Sequence, residues 1–211
     1  MKSMIMFAMM AFGLYASEFT QAVDDYNKGE YAKAFDTFYL LAKEGNAKAQ
    51  YNTGLLYALG KGAKKDLSQA QKWYEKAAKQ GNASAQYNLA QLYHAVGSSD
   101  VHAYEKAKYW YEKAVKGGIV QAYNNLASLY IDGFGVEKNE QKALTLLEEA
   151  ASKGDASAQV NIAVLYAWGE DVTHDKMKAY ENFRAALKNG KSEASGYLDK
   201  LCQESAWVCK D

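Results

Sequence analysis

The sequence contains no proline among its 211 residues, although average usage of about 5% would give roughly ten. Since an interior proline kinks or ends a helix, its absence allows long uninterrupted helices. The 16 glycines must then supply the breaks between helices. With 49% hydrophobic and 24% charged residues, the chain has the balance of a globular protein, which excludes a disordered or collagen-like chain.

An excess of charge of either sign is also lacking, because 25 basic residues balance 25 acidic ones. A protein that binds nucleic acid needs positive charge to release counterions from the phosphate backbone. Attraction to an anionic membrane surface requires a similar excess. We therefore expect neither nucleic acid nor a membrane to be the partner.

Motifs of the common active sites are missing as well. The sequence has no GxxxxGK[ST] phosphate loop, no GxSxG nucleophile turn and no HExxH zinc motif. No serine is followed three residues later by lysine, and KTG does not occur, so the serine β-lactamase signature is missing too. The three histidines, His94, His102 and His174, show no paired ligand spacing, which favours surface histidines over a metal site. We predict no catalytic residue, no metal ligand and no cofactor.

The N-terminus has the residue order of a secretory signal. A lysine precedes an uncharged, mostly apolar run over residues 4–15, and Ala16 stands before the polar Ser17 and Glu18. A run this short does not span a bilayer, which needs about 18 apolar residues. We predict that residues 1–16 are a signal peptide, cleaved after Ala16, and that the mature protein is periplasmic or secreted. A buried first helix is the alternative interpretation.

The rest of the chain repeats itself with a nearly constant period. Glycines recur at spacings of 36, 37, 36 and 36 residues, namely Gly45, Gly81, Gly118, Gly154 and Gly190. In the same phase lie Tyr57, Tyr93, Tyr130 and Tyr166, and a row of alanines formed by Ala34, Ala70, Ala107, Ala143 and Ala179. A period of this size indicates a solenoid or a propeller.

The pattern within one repeat predicts a helical hairpin. Ala49, Thr53 and Leu56 recur at three and four residues, as on one face of a helix, and residues 70–78 contain a second such face. Between them, the GKG of residues 60–62 is suited to end the first helix, and Asp66 or Ser68 is suited to cap the second. Strand-like alternation is nowhere sustained. We therefore predict an all-α solenoid rather than a propeller.

These residues resemble the Sel1-like repeat, a relative of the tetratricopeptide repeat with a longer hairpin loop. The resemblance lies in AQYNTGLLY (residues 49–57), GKG (60–62) and WYEKAA (73–78), and it recurs in phase through four repeats. It implies a right-handed α/α solenoid over residues 17–211, forming a single domain. We expect a first hairpin with a short loop at 18–44, repeats at 45–80, 81–117, 118–153 and 154–189, and a capping helix at 190–211.

Two repeats depart from this motif in their hairpin loops. The second has AVGSS at residues 95–99 in place of the GxG sequence, and the fourth has GED at residues 169–171. We expect these two loops to differ locally in geometry from the others. Loop variation is ordinarily tolerated on a repeat scaffold, so we assign no separate function to it.

The resemblance also implies a binding surface, because first helices line the concave side of tetratricopeptide solenoids. By phase, sixteen residues fall on that side, and we predict that ten of them contact a partner: Tyr51, Leu55, Tyr87, Gln91, His94, Asn124, Ser128, Asp132, Val164 and Trp168. The other six are Lys48, Leu59, Ser84, Gln121, Ser157 and Val160. Tyr51, Tyr87 and Trp168 are the candidate anchors, since large aromatic side chains are enriched at binding hot spots. For Tyr51 and Tyr87 the alternative is packing between neighbouring repeats. Trp168 has no aromatic counterpart in the other repeats. Packing between repeats therefore gives less reason for an aromatic side chain at this position than at Tyr51 or Tyr87.

The resemblance implies a protein partner. Exported bacterial members of the Sel1-like family include adaptors and immunity proteins that neutralise toxins delivered into the periplasm. The first hypothesis is therefore a non-catalytic binding protein of that kind. A second is a β-lactam-binding protein or β-lactamase, as described for cysteine-rich exported members, although Ala151 and Gln159 occupy helix ends comparable to those where such members carry cysteines. A third is an envelope regulator that recruits a peptidoglycan enzyme.

The only two cysteines, Cys202 and Cys209, lie seven residues apart near the C-terminus. In a continuous helix their Cα atoms would be separated by about 10.5 Å, whereas a disulfide tolerates less than about 7 Å. If they bond, the helix must end between Gln203 and Val208, and the tail must fold back with Trp207 against the last hairpin. We expect such a disulfide to clasp the end of the solenoid, since a CxxC redox motif is absent.

Overall fold

The computed structural model describes residues 17–209, in which all regular structure is helical. The prediction of an all-α fold is confirmed. The first helix, α1, covers residues 17–27. The following helices are α2 (Tyr31–Lys43), α3 (Ala47–Leu59), α4 (Leu67–Lys79), α5 (Ala83–Val96), α6 (Val101–Lys116), α7 (Val120–Asp132), α8 (Glu140–Ser152), α9 (Ala156–Trp168), α10 (Lys176–Lys188) and α11 (Ala194–Glu204), with a 3-10 turn at Ala206–Cys209. The predicted signal peptide lies outside the described residues.

The contacts of the chain divide into two compact units, one ending at Leu92 and the other beginning at Tyr93. The first contains α1 to α4 and most of α5, and the second contains α6 to α11. In each unit, consecutive helices pack as antiparallel hairpins, with α3 against α4 in the first and α7 against α8 and α9 against α10 in the second. A single continuous solenoid over residues 17–211 stays a prediction.

Side-chain caps determine where many of these helices begin. The Asn46 carboxamide accepts from the Ala49 amide at the start of α3, and the Asp66 carboxylate accepts from the Gln69 amide at the start of α4, each at 2.9 Å. Of the two predicted caps for α4, Asp66 is therefore the one used. Helix α3 ends at Gly60, whose φ of 69° is left-handed, as the GKG motif predicts.

The core of the first unit joins its first four helices. Its buried members are Ala22, Ala34, Phe38, Leu41, Ala42, Ala49, Leu56 and Trp73. The alanines let helix backbones approach closely, and the larger side chains fill the space between hairpins. Phe19 of α1 meets Phe38 of α2 edge-on, with ring centroids 5.4 Å apart. Because Leu56 and Trp73 belong to the same cluster, the short-loop first hairpin shares the core of the repeat that follows.

The second unit ends in a core that includes the C-terminal tail. Cys202 and Cys209 form a disulfide with their Cα atoms 5.7 Å apart, which confirms the predicted bond and the predicted end of the helix, since α11 stops at Glu204. The expected contact of Trp207 is wrong, because this side chain is 61% exposed. Val208 is the buried residue instead, since a single 3-10 turn can direct only one of two adjacent side chains inward.

Close backbone approaches explain the second glycine of the regular GxG loops. A Cβ atom on Gly62 would lie 2.1 Å from the Tyr31 carbonyl oxygen, and one on Gly135 would lie 2.7 Å from the Glu105 amide nitrogen. The residue between the glycines packs on the preceding hairpin, since the Lys61 ammonium lies 4.4 Å from the centroid of the Tyr31 ring. These loops therefore hold neighbouring hairpins together.

The two irregular loops differ in geometry, as predicted. Helix α5 continues to Val96, and Gly97 lacks a positive φ. In the fourth repeat Gly169 is extended, with φ −63° and ψ 151°. That loop is held by the buried Glu140 carboxylate, which accepts from the Asp171 amide at 2.9 Å.

The close approach at Gly62 can be tested against Gly45, which also has positive φ but has nothing within 4 Å of a built Cβ. Gly45→Ala should cost about 1 kcal/mol from backbone strain alone. Gly62→Ala should cost about 1–3 kcal/mol more, because the methyl group overlaps the backbone of α2. Urea unfolding of both variants measures the difference. Equal losses would show that the loop does not rest on Tyr31.

Removal of the disulfide should lower the free energy of unfolding by about 2 to 3 kcal/mol, the value expected for a short closed loop. The Cys202→Ser/Cys209→Ser variant tests this, with wild type under reducing conditions as the second measurement. Because Val208 belongs to the core, the tail should also become sensitive to proteolysis. A variant as stable as wild type would contradict a clasping role.

Candidate partner-binding face

The ten residues predicted to contact a partner all lie on the first helices of the hairpins, and none of them is fully buried. They fall on α3 (Tyr51 and Leu55), α5 (Tyr87, Gln91 and His94), α7 (Asn124, Ser128 and Asp132) and α9 (Val164 and Trp168). We call Tyr51, Leu55, Tyr87 and Gln91 the α3–α5 face. The five residues on α7 and α9 form the α7–α9 face, and His94 is described separately. Each is described within its own unit.

Tyr51 on the α3–α5 face is half-buried and serves partly in packing. Its ring lies 6.0 Å from that of Tyr74 on α4, and both hydroxyl groups are hydrogen bonded to Asn88 on α5. Burial raises the pKa of Tyr51, and it raises the pKa of Tyr74 to about 12, so both phenols stay neutral at physiological pH. Tyr51 therefore joins two neighbouring first helices while part of its ring remains exposed.

An equivalent bond joins the first helices of the α7–α9 face. The Asn161 carboxamide donates to the Asn124 Oδ1 atom at 3.0 Å, and Asn124 in turn donates to the Asp155 carboxylate at 2.7 Å. Asn161 occupies the position in its repeat that Asn88 occupies two repeats earlier. In each unit an asparagine thus reaches back to the preceding first helix and sets the two helices side by side.

Hydrogen bonds within one helix occur on both faces as well. Gln91 donates to the Tyr87 hydroxyl at 3.1 Å, and Ser128 donates to the Asp132 carboxylate at 3.1 Å. Each pair is four residues apart on an exposed helix surface, where such bonds are worth only a few tenths of a kcal/mol. A partner could therefore replace these bonds at small cost.

His94 belongs to the second unit and is half-buried between two tyrosines. Its ring centroid lies 5.6 Å from that of Tyr104 and 6.1 Å from that of Tyr111, and its Nδ1 atom is 3.4 Å from the Tyr111 hydroxyl. Burial lowers the pKa of His94, and the negative charge of Asp132 opposes that shift. The ring is accordingly neutral at pH 7. Among residues 17–209 no three His, Cys, Asp or Glu side chains are grouped to hold a metal ion.

Trp168 has a packing role that its position among the repeats does not reveal. Its indole Nε1 donates to the Glu204 carboxylate at 2.7 Å, and the Lys200 ammonium lies 4.4 Å from its ring centroid. The ring also lies 6.0 Å from Phe183 and 6.3 Å from Tyr197. Three of these four neighbours belong to α11, so the side chain holds the C-terminal helix against α9. Val164 packs against the same core.

A row of asparagines on the first helices was not singled out from the sequence. Its members are Asn52, Asn88, Asn125 and Asn161, spaced by 36, 37 and 36 residues. The spacing alone was a sufficient signal, since it equals that of the glycine and tyrosine rows. Asn88, Asn125 and Asn161 make hydrogen bonds to neighbouring helices. Asn52 instead borders a cavity.

Charge is nearly missing from both faces. Of the ten predicted residues only Asp132 carries a full charge at neutral pH, since His94 is neutral. What the faces offer is aromatic surface, aliphatic surface and amide or hydroxyl groups, the composition found at the centre of protein–protein interfaces. In the part of the chain that the structure describes, no helix has the length and apolar composition of a membrane span.

A family model described as the Sel1 repeat matches residues 47–82, 83–119, 120–155 and 156–191, which is more than half of the chain. No curated protein sequence matches significantly. Among solved structures, a protective antigen of uropathogenic Escherichia coli that displays an SLR fold is 29% identical, with a TM-score of 0.81, and the match covers 95% of this chain and 44% of that one. The present chain thus spans less than half the length of that antigen.

A Sel1 repeat protein from Oxalobacter formigenes is 28% identical, with a TM-score of 0.76, over 93% of this chain and 82% of that one. An immunity protein from Pseudomonas aeruginosa is 23% identical, with a TM-score of 0.53, over 84% and 68% of the two chains, a likeness that shows the fold alone. Together these matches identify the fold class as the helical solenoid of Sel1 repeats.

The environment of His94 predicts a titration that can be observed by NMR. Its pKa should lie below the ordinary value of 6.5, and Asp132→Asn should lower it further, because that charge favours the protonated ring. Since the unfolded chain binds the proton more readily, stability should be full above pH 6.5 and should fall as the pH drops toward the folded-state pKa. His94→Gln assigns the resonance and should reduce this pH dependence. An unchanged pKa in Asp132→Asn would contradict the arrangement.

Proposed function

The chain belongs to the Sel1 repeat family, whose repeats generally mediate protein–protein interaction, and we propose that it is a non-catalytic protein-binding scaffold of the bacterial periplasm. The observation that carries this proposal is the composition of the α3–α5 and α7–α9 faces. All ten side chains remain partly open to solvent, and Tyr51 and Asn124 are held in place by neighbouring helices.

The rigidity of these side chains favours affinity. Binding ordinarily costs conformational entropy for each side chain that becomes immobilised. Tyr51 is already held by Asn88 and Tyr74, and Asn124 is already held by Asp155 and Asn161. Their exposed portions can therefore contact a partner with little additional loss of entropy.

For the partner, we propose a toxin effector delivered into the periplasm, so that the protein acts as an immunity protein. Support comes from the fold shared with the Pseudomonas immunity protein and from the signal-like residues 1–16. The disulfide adds to it, because such bonds persist mainly outside the cytoplasm. A resident envelope enzyme is the alternative partner, and it would make the protein a regulator of peptidoglycan synthesis or cleavage.

Affinity capture from periplasm and from competitor cells tests the scaffold role. Wild type should hold one stoichiometric protein, and Tyr87→Ala/Gln91→Ala should weaken binding by more than about tenfold if the α3–α5 face is used. Trp168 is unsuitable for this purpose because it supports α11. Lys72→Ala/Lys79→Ala, on exposed positions of the second helix α4, is the matched control and should bind like wild type.

The identity of the captured protein separates a toxin from an envelope enzyme. Equal helicity of all baits by circular dichroism excludes misfolding as the cause of a loss. If wild type captures nothing, the scaffold proposal fails. Turnover of nitrocefin above a denatured control would then support the β-lactamase hypothesis.

The lack of charge on both faces predicts that binding depends little on salt. Between about 50 and 300 mM salt, the dissociation constant should change by less than about threefold, because few ion pairs are screened. Titration calorimetry with the captured partner measures this. A dependence of tenfold or more would place the interface on the charged second helices instead.

A further inference from the structure

A small cavity opens on the α3–α5 face, between α1, α2 and α3. Its volume is about 100 Å³, and its lining consists of Val23, Tyr26, Phe38, Asn52, Leu55 and Leu56. Leu55 is one of the ten residues predicted to contact a partner, so the cavity belongs to the same surface. Its walls are mostly apolar. The residues among them with polar side-chain groups are Asn52, with a carboxamide, and Tyr26, with a hydroxyl.

Comparison with the later repeats shows what is missing from this cavity. One repeat on, Asn88 is hydrogen bonded to the hydroxyl of Tyr74. In the repeat after that, Asn125 donates to the Tyr111 hydroxyl at 3.3 Å. The residue that corresponds to these two tyrosines in the first hairpin is Phe38, which has no hydroxyl.

Asn161, in the fourth repeat, shows that another side chain can replace the missing hydroxyl. Leu147 stands at the tyrosine position before Asn161, and Asn161 donates instead to Asn124 at 3.0 Å. Asn52 has no such replacement, since no residue in 17–209 hydrogen bonds to its side chain. Its amide is not sealed off, because no polar side-chain atom of the described chain is both fully buried and without a partner.

We propose that this cavity is an anchor site for one uncharged aliphatic side chain of a bound protein, of about leucine size, with an adjacent polar group hydrogen bonded to Asn52. The inference rests on the proposed binding function. The volume suits such a group, since an apolar cavity of about 150 Å³ accepts benzene. A charged side chain is excluded as occupant, because the lining offers it no opposite charge and burial would be costly.

The ligand class can be tested without a partner. The probe is 3-methyl-1-butanol, which carries the branched end of a leucine side chain and one hydroxyl group. In a methyl-labelled sample of the exported protein, the resonances of Val23, Leu55 and Leu56 should shift and saturate together. Shifts that never saturate, or that spread over all methyl groups, would overturn the proposal.

Phe38→Tyr is the decisive variant, because it supplies the hydroxyl that Tyr74 and Tyr111 provide in later repeats. That hydroxyl should bond to Asn52, leave stability unchanged or higher, and weaken binding of the probe by more than about tenfold. Tyr74→Phe is the matched control, since it removes a hydroxyl at the same repeat position and leaves the cavity intact. Leu55→Phe, at a half-exposed position, blocks the mouth of the cavity should Phe38→Tyr fold poorly. Undiminished probe binding in the blocked variants would overturn the assignment.

The captured partner then separates this inference from the proposed function. If Phe38→Tyr holds that partner as tightly as wild type while Tyr87→Ala/Gln91→Ala does not, the scaffold role stands and the anchor is overturned. Loss of partner binding in both variants supports both the scaffold role and the anchor site. If the alcohol saturates the cavity but no protein is captured, the scaffold role fails while the ligand class of the cavity is supported.

Discussion

The structure depends on the close approach of neighbouring helices through alanine. Along the second helices Ala34, Ala70, Ala107, Ala143 and Ala179 are each 0% exposed, and along the first helices Ala49, Ala85, Ala122 and Ala158 are equally buried. A larger side chain at any of these points would force two helices apart. Because the same contact recurs with the repeat, hairpins within each unit are held against their neighbours in the same way, and the first-helix residues of that unit fall into register.

That register leaves the remaining positions free to vary in chemistry. In the regular loops the residue between two glycines is Lys61, which packs on tyrosine, or Phe134, which stacks on Tyr104 with ring centroids 4.7 Å apart. In the fourth repeat Glu170 pairs with Lys138. Each solution joins a loop to the preceding hairpin. The faces that we assign to binding are likewise variations at fixed positions, which is how one scaffold can serve different partners.

The same register explains why one asparagine row has two roles. Where a tyrosine hydroxyl or another asparagine is within reach, the amide joins adjacent helices, as for Asn88 and Asn161. Where Phe38 replaces the tyrosine, the amide of Asn52 faces a cavity. The α3–α5 face therefore combines rigid aromatic surface with one cavity. Trp168, near the C-terminal end of the repeats, instead packs against α11.

Much of the fold could be predicted from the residues alone. The glycine, alanine and tyrosine rows determine the helical hairpins, since a single unit buries its apolar face only against a neighbour and the period repeats that requirement. The short spacing of Cys202 and Cys209 likewise determines that a bond between them must end α11, because a helix of that length holds the two Cα atoms too far apart.

Only the tertiary structure determined which of these side chains pack against other helices. Trp168 has no aromatic counterpart in its repeat row, so the row gives no reason for it to pack, but its neighbours come from α11, which lies outside the repeats. Trp207 and Val208 are adjacent and both apolar, and the 3-10 turn alone determines that Val208 is buried. The cavity beside Asn52 also depends on a neighbouring helix, because α2 places Phe38 rather than a tyrosine next to it. Periodicity reports which face a residue occupies, whereas hydrogen bonds and burial depend on the particular side chain that a neighbouring helix brings to that face.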